Sequence, residues 1–425
     1  MYDFMIGKYF NYFYLFWIFV YAGSATVFAR SLGDISTFGN AFAICLTIFA
    51  ISLNKIKFNT KFIYSLVIFC IYALATTLNN QTINLLWWSQ WLIRLAIAYV
   101  IIRIFKEGLL YAFEKMLVFF CYCSLSFWIL YLVAPNMLLN FASFVHFSEP
   151  YGADNSNVAY NLLVYTIGSN SVLNQGYWVV RNAGFAWEPG AFSSIIIIGI
   201  FCNILRKGFI LSNNKHLILF LITLFTTQST TGIGILLACS VFWAFVNGRK
   251  GWAIIWLIAA IFLFMVLPFM QEKILGEYVI MNEQVRNVEN VYSHAAYGRM
   301  SSFVLSWQEF LRHPILGLGG YAGGTYLMQR GIDNVALISG IGHLLSMYGA
   351  VMSFLFFKLL YKSGKSFSHV FETKNGYMII VVMLGIMISY NLWMNPLLMS
   401  FWLFNYYSGP LIPQGQMKGK RCIIH

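Results

Sequence analysis

Apolar residues follow one another in runs of about 20 along the whole chain, and short polar stretches separate the runs. A run of this length is what an α-helix needs to cross a hydrocarbon core of about 30 Å. Such runs lie at residues 9–29, 35–54, 62–78, 85–105, 116–134, 191–205, 216–229, 232–247, 252–270, 338–360, 377–393 and 395–408. The pattern predicts an all-α polytopic membrane protein, a single integral membrane domain (1–425) with about 12 transmembrane helices.

Two junctions between runs leave the helix count open. Only Ser229-Thr-Thr-Gly232 separates the seventh run from the eighth, and the last two runs meet at Asn395-Pro396. Each pair is either two helices or one broken helix, because Gly and Pro interrupt a helix without always ending it.

Two longer polar stretches, 135–190 and 271–339, interrupt the apolar pattern and predict large loops. The second contains a segment near 299–312 whose apolar positions, 303, 304, 307, 310 and 311, recur at helical spacing. This spacing predicts an amphipathic helix that lies along a membrane interface.

Composition and charge agree with a membrane protein and orient it. Charged residues are 10% of the chain and hydrophobic residues 60%, whereas soluble domains are about 25% charged. Of the 27 Lys and Arg residues, 19 fall in short segments on one side of the predicted topology, and ten of the 14 acids fall on the other side. Since short loops rich in Lys and Arg stay in the cytoplasm, both termini are predicted to be cytoplasmic and both large loops to face outward.

Several classes of function lack their usual signals. Basic residues scattered over many short segments do not form the single basic face of a nucleic-acid-binding protein. Six of the seven cysteines lie within apolar runs, in no zinc or disulfide pattern. Phosphate-binding, dinucleotide-binding and metalloprotease motifs are missing. We therefore expect no cofactor, no metal and no nucleic-acid partner.

The first large loop supplies two candidate site residues. Arg181 lies about ten residues before the sixth span, and arginine binds phosphate in a bidentate manner. Its alternative role is to pair with a lipid headgroup or with Glu188. Glu188 precedes Pro189-Gly190, which open the span, so it could be a general base, a sugar ligand or a carboxylate favourable to the helix dipole.

The second large loop and the span after it supply the other candidates. Arg299 opens the amphipathic segment and is a second possible phosphate ligand. After Pro314, the glycines of Gly317-Leu-Gly319-Gly320 form a turn whose backbone N–H groups could approach an anion. His343, near the outer end of the tenth span, is either a hydrogen-bonded core residue or a base for a hydroxyl group.

These motifs, taken in order over roughly residues 180–355, resemble those of O-antigen polymerases in the O-antigen ligase and polymerase superfamily. The resemblance consists of Arg181-x-x-Gly184-x-x-x-Glu188-Pro189, Ser229-x-Thr-Gly232, Gly298-Arg299, Trp307, His313-Pro314-Ile-Leu-Gly317-Leu-Gly319, and His343 with Tyr348-Gly349. Two positions depart from the family pattern: Thr230 stands where Arg is common, and Leu344 stands where Asn often follows the histidine.

The resemblance implies a metal-independent, inverting glycosyltransferase embedded in the bacterial inner membrane. It would polymerise lipid-linked oligosaccharide repeat units of O-antigen or a related surface polysaccharide, on the periplasmic face. A polyprenyl-pyrophosphate-linked oligosaccharide would serve as donor and acceptor, with membrane lipids as surroundings and a chain-length regulator protein as a further candidate partner. Arg181 and Arg299 would bind the pyrophosphate, Gly317, Gly319 and Gly320 would support them, and His343 or Glu188 would be the base.

Two other functions remain open from the sequence. An O-antigen ligase would use the same donor and transfer the glycan to a lipopolysaccharide core; the Glu-Pro-Gly sequence after Arg181 favours the polymerase. A lipid-linked oligosaccharide flippase or exporter should carry charges within several spans, and Arg94 is the clear mid-span charge of this sequence.

Overall fold

The computed structural model describes residues 2–31, 33–81, 85–145, 160–167, 180–266, 299–320, 324–329 and 338–407, and these are almost entirely helical. The α-helices are α1 (Tyr2–Ser31), α2 (Gly33–Leu53), α3 (Thr60–Asn80), α4 (Leu85–Phe105), α5 (Leu109–Val133), α6 (Pro135–Phe144), α7 (Pro189–Lys207), α8 (Lys215–Thr226), α9 (Thr230–Val246), α10 (Lys250–Val266), α11 (Arg299–Arg312), α12 (Tyr326–Gln329), α13 (Gly340–Val370), α14 (Met378–Ser389) and α15 (Pro396–Trp402). Within the described ranges, β1 (Tyr160–Asn161) and β2 (Thr166–Ile167) form an antiparallel pair. The predicted all-α class is confirmed.

Four helical stretches of the described chain are long and apolar enough to cross a membrane: Thr60–Asn80, Trp87–Val133, Pro189–Lys207 and Gly340–Val370. The second of these joins α4 and α5, and several further apolar helices are shorter. Helices α3 and α10 leave large apolar side chains exposed turn after turn; Ile71 is 62% and Leu257 56% exposed. Apolar faces of this extent are unusual on a soluble monomer and are the surface that lipid would cover.

Helix α7 is the centre of the bundle, and almost all of its side chains are buried. It packs against α5, α8, α9 and α14. Its small residues allow close approach: a Cβ atom placed on Gly199 would lie 2.2 Å from a methyl carbon of Leu117 on α5. Pro189 at the first helical position fixes the start of α7. Glu188, a candidate residue of the first large loop, lies directly before this buried helix, and Arg181 lies eight residues before it.

Polar contacts distinguish the two ends of the bundle. At the end that we call the basic end, Lys57, Arg103, Arg206, Arg249 and Lys374 lie on or beside the helix termini. Buried Glu114 there accepts hydrogen bonds from Arg206 at 2.6 Å and Asn203 at 3.0 Å, and contacts His216. The opposite end, which we call the site end, contains the first residues of α7 and α13 and the last residues of α14. The candidate site residues therefore lie away from most of the described basic residues.

Both uncertain junctions are reversals of the chain between separate helices. The chain turns at residues 227–229, where the Ser229 hydroxyl caps α9 by accepting the N–H of Gly232 at 3.2 Å. It turns again at residues 390–395, between α14 and α15, where Asn395 caps α15. Thr231 and Ser389, which lie beside these two turns, hydrogen-bond at 2.7 Å. The two turns therefore meet at the site end.

Helix α13 is broken at Gly349, whose φ of 66° and ψ of −172° are not helical. Residues 314–318, which follow α11, fill the break. The N–H groups of Ala350 and Val351 donate to the carbonyl oxygens of Pro314 and Ile315, and the N–H of Leu318 donates to Ser346. The segment containing the His-Pro motif thus replaces hydrogen bonds that an unbroken helix would make within itself.

Several predicted boundaries are wrong. Helix α13, predicted as the run 338–360, continues to Val370. Phe367 stacks on Phe404 and the Ser363 hydroxyl donates to the Trp402 carbonyl, so packing stabilises a helical segment that is too polar to extend the hydrophobic run. Helix α14 ends at Ser389 rather than 393 because residues 390–395 form the turn, and α15 ends at Trp402 rather than 408 because a 3₁₀ turn, Phe404–Tyr406, follows it. Residues 299–312 form the helix α11, and its placement along a membrane interface stays a prediction. The predicted loops also contain α6 and the β1–β2 pair, and residues 146–159, 168–179 and 267–298 lie outside the described residues.

Candidate functional site

Arg181 is held against the turn that joins α8 to α9. Its Nε donates to the carbonyl oxygen of Thr227 at 3.1 Å, at the C-terminal end of α8, where a cation interacts favourably with the helix dipole. The next residue, Asn182, fixes the backbone, because its N–H donates to the Thr226 carbonyl and its side chain donates to the Thr226 hydroxyl at 2.9 Å. Arg181 is 9% exposed. The position of Arg181 is therefore set by Thr226 and Thr227, which directly precede the turn that contains Ser229-Thr-Thr-Gly232.

Glu188 is the N-cap residue of α7 and has extended backbone geometry. Its side chain makes no capping hydrogen bond to that helix. Instead the carboxylate interacts with the hydroxyl group of Tyr390. Glu188 therefore makes no capping hydrogen bond, and its carboxylate lies at the N-terminal end of α7, where it is favourable to the helix dipole.

Arg299 is the first residue of α11, and its Nη2 donates to the Tyr390 hydroxyl at 2.6 Å. Its guanidinium carbon also lies 4.9 Å from the centre of the Tyr390 ring. Helix α11 packs on α13 through small residues: a Cβ atom on Gly342 would lie 2.7 Å from that of Ser306, and Ser302 accepts the N–H of Ser339. The apolar side chains Phe303, Trp307 and Leu311 remain exposed on the other face, as an interfacial helix requires.

Tyr390 lies beside predicted site residues from both large loops, Arg181 and Glu188 from the first and Arg299 from the second. Its hydroxyl accepts a hydrogen bond from Arg299 at 2.6 Å, and Glu188 and Arg181 lie within electrostatic range of it. Two glycines make room for it: a Cβ atom on Gly190 would lie 1.6 Å from the hydroxyl oxygen, and one on Gly340 would lie 2.3 Å from the Tyr390 carbonyl oxygen. We call Arg181, Glu188, Arg299 and Tyr390 the Tyr390 cluster.

His343 lies one helical turn after Gly340 in α13, and no contact with the Tyr390 cluster is seen for it among the described residues. Its ring centre lies 5.8 Å from that of Tyr348 and 6.5 Å from that of Trp393, which shares the 390–395 turn with Tyr390. Arg94 of α4 is within electrostatic range of His343. The His343 Nδ1 is buried and has no hydrogen-bond partner within the described part of the chain. The role of His343 as a base therefore stays a prediction.

The three glycines after Pro314 serve packing. Gly317, Gly319 and Gly320 all have positive φ values, and Cβ atoms there would overlap the α13 backbone at Met347–Gly349, Thr76 of α3 and Trp87 of α4, respectively. The N–H of Gly317 already donates to the His313 carbonyl. The Gly317 amide therefore already has a partner within the chain, and the predicted anion-binding role stays a prediction for all three glycines.

Sequence reasoning missed Tyr390 and assigned no site role to Arg94. Tyr390 ends an apolar run, where tyrosine is common at membrane interfaces, so composition gives it no distinction. The available signal was its place five residues before Asn395-Pro396, at a junction already recognised as a break. Arg94 was recognisable as a mid-span charge, which is costly without a function or a partner.

The Tyr390 cluster combines two guanidinium groups, a carboxylate and a phenol. Guanidinium groups suit pyrophosphate, and a carboxylate or imidazole can accept a proton. The side chains of Ser124, Ser193, Ser229, Thr231 and Ser389 add hydroxyl groups nearby. Among the described residues, no group of three His, Cys, Asp or Glu side chains is placed to hold a metal ion.

Compared with known proteins, the chain matches no family model, no curated protein and no solved structure.

Proposed function

We propose that this protein is a membrane-embedded, inverting glycosyltransferase that polymerises lipid-linked oligosaccharide repeat units. The proposal places it in a bacterial inner membrane, crossing about twelve times, with both termini in the cytoplasm and the site end at the periplasmic face. Its class is that of the O-antigen polymerases, on the motif resemblance between residues 180 and 355.

The observation that carries the proposal is the convergence of Arg181, Glu188 and Arg299 on Tyr390. With Tyr390, these residues come from three segments of the chain, at 181–188, 299 and 390, so the fold and not the local sequence brings them together. A donor attached to lipid through pyrophosphate brings its own leaving group and needs cationic side chains to stabilise the charge that develops on it. The two arginines fit that need.

The reaction balances with the residues present. The bond between the donor's anomeric carbon and the pyrophosphate oxygen breaks, and the lipid pyrophosphate leaves with the bonding electrons. A new bond forms from that carbon to the acceptor hydroxyl oxygen with inversion. The hydroxyl proton passes to Glu188 or His343, and Arg181 and Arg299 stabilise the departing pyrophosphate.

Surface polysaccharide from a deletion strain, separated on a gel, tests the proposal. A single repeat unit on the lipopolysaccharide core supports the polymerase. A core without any glycan chain would indicate the ligase instead, and unchanged long chains would contradict both enzymes. Complementation with the full chain must restore the long chains.

Substitution separates the two candidate bases. We expect His343→Ala to lose synthesis by about 10²–10⁴-fold while still binding donor lipid, because positioned proton transfer contributes that much in rate. Glu188→Gln should weaken donor binding as well, since Glu188 interacts with the arginine-bound Tyr390 hydroxyl. Near-normal synthesis by His343→Ala beside an inactive Glu188→Gln would assign the base to Glu188. The measurements are the rate of chain extension and retention of donor lipid by the purified variants.

A further inference from the structure

A groove of about 320 Å³ opens between α3 and α13 at the basic end, opposite the Tyr390 cluster. Its floor consists of apolar side chains, among them Phe69, Leu95, Met352 and Trp402. Helix α3 meets the rest of the bundle here through large aromatic rings, such as Phe62 against Tyr99 at 4.1 Å. A volume in this range is typical of ligand-binding cavities.

The groove has the depth of one membrane leaflet. Its walls run along α3 from Lys61 to Phe69 and along α13 from Met352 to Lys362. At 1.5 Å per residue these stretches are about 12 and 15 Å long. Half of a hydrocarbon core of about 30 Å is of the same length. An acyl chain of a lipid in that leaflet would therefore fit lengthwise.

The mouth of the groove is positively charged. Lys61 on one wall and Lys358 and Lys362 on the other line it, and no carboxylate does so among the described residues. None of the three ammonium groups forms an ion pair within the described part of the chain, although Lys358 lies over the Phe354 ring at 5.9 Å. Lys358 and Lys362 are one turn apart on α13, an arrangement in which like charges repel. An anion between the two walls would relieve that repulsion.

We propose that this groove binds one anionic glycerophospholipid of the surrounding leaflet. The phosphate lies among Lys61, Lys358 and Lys362, and an acyl chain lies along the apolar floor. Basic pockets between transmembrane helices bind anionic headgroups in this way. The leaflet-deep groove fits an acyl chain better than the much longer chain of a polyprenyl carrier. The inference needs the membrane setting of the proposed function but not its chemistry.

The lipid would sit on the same helices that support the site. One turn beyond Phe69, on the side of the groove towards the site end, the Tyr72 hydroxyl lies 2.7 Å from the carbonyl oxygens of both Leu316 and Tyr348, which border the break in α13. At the groove, the Tyr406 hydroxyl donates to Ser65 at 2.5 Å and closes α3 onto the segment after α15. A bound lipid would therefore hold α3 against α13 at one end while Tyr72 holds them at the other.

The test is native mass spectrometry of the full chain, purified in detergent and incubated with phosphatidylglycerol or with phosphatidylcholine of the same acyl chains. Wild type should retain one phosphatidylglycerol and little phosphatidylcholine. Neutralising the groove by Lys61→Gln, Lys358→Gln and Lys362→Gln together should weaken retention by about 100-fold, since each lysine near an anionic headgroup contributes about fivefold. The matched control is Lys250→Gln, Lys365→Gln and Lys374→Gln, which removes the same charge from exposed lysines outside the groove.

A second variant tests the apolar floor. Leu355→Trp fills the groove and keeps all three lysines, so it should also lose phosphatidylglycerol. Equal retention by wild type and the lysine variant would overturn the proposal, as would loss in the control or retention of phosphatidylcholine equal to that of phosphatidylglycerol. Displacement of phosphatidylglycerol by an equal concentration of polyprenyl phosphate would assign the groove to the carrier and overturn it too. Chain synthesis is not a readout here, so failure of the proposed glycosyl transfer would leave this result standing.

Discussion

At the scale of single residues, the two ends of α11 offer a matched pair of arginines. Arg299 at its start donates to Tyr390, whereas Arg312 at its end is exposed, stacks on the Tyr326 ring and lies 3.6 Å from Glu309. We expect Arg299→Ala to abolish chain extension and Arg299→Lys to restore it poorly, because lysine lacks the guanidinium geometry. Arg312→Ala should extend chains normally. Chain length on a gel, with membrane levels of each variant, checks this; long chains from Arg299→Ala would remove Arg299 from the site. Arg181→Ala should be inactive for the same reason.

Tyr390→Phe isolates the contribution of one hydroxyl group. The ring keeps its place beside Gly190, while Arg299 loses its hydrogen-bond partner and Glu188 loses the hydroxyl group near it. A hydrogen bond to a charged group is worth about 1.5–3 kcal/mol, so the extension rate should fall about 10- to 100-fold. Tyr377→Phe, at the basic end, is the control. A Tyr390→Phe enzyme with the wild-type rate would show that the hydroxyl does not organise the site.

At the scale of helices, the break in α13 should depend on glycine. Gly349 has a backbone conformation open essentially to glycine alone, and a Cβ atom there would lie 2.4 Å from the Ile315 carbonyl oxygen. We expect Gly349→Ala to lower the thermal unfolding temperature sharply and to reduce the folded yield. Gly234→Ala, within α9, meets nothing within 4 Å and should be neutral or stabilising by about 1 kcal/mol. Equal melting temperatures for the two variants in detergent would contradict the importance of the break.

The helices could be predicted from the sequence because the length of an apolar run sets the approximate length of the helix that it forms. The run at residues 85–105, for example, coincides with α4 (Leu85–Phe105). The pairing of segments was not predictable, because nothing local to residues 314–318 says that they will complete a break in α13. For the same reason, the sequence identifies Arg181, Glu188 and Arg299 individually as candidate site residues but does not identify Tyr390, near which they meet.

At the scale of the whole molecule, the proposed reaction should need only lipid-linked repeat units. The donor carries its own leaving group, and the sequence contains no nucleotide-binding motif. Purified protein in detergent or vesicles should therefore extend chains at an unchanged rate in EDTA and without nucleotide sugars. A strict requirement for an added divalent ion would contradict the metal-independent mechanism, and restoration of activity by returning that ion would identify it.

Because the residues of the Tyr390 cluster are far apart in the sequence, they are synthesised at different times. Arg181 and Glu188 leave the ribosome first, then Arg299, and Tyr390 comes last. At synthesis rates of about 5–20 residues per second, on the order of tens of seconds separate the first part from the last. A nascent chain therefore carries its arginines long before the phenol that joins them, and any fragment ending before residue 390 should be catalytically silent.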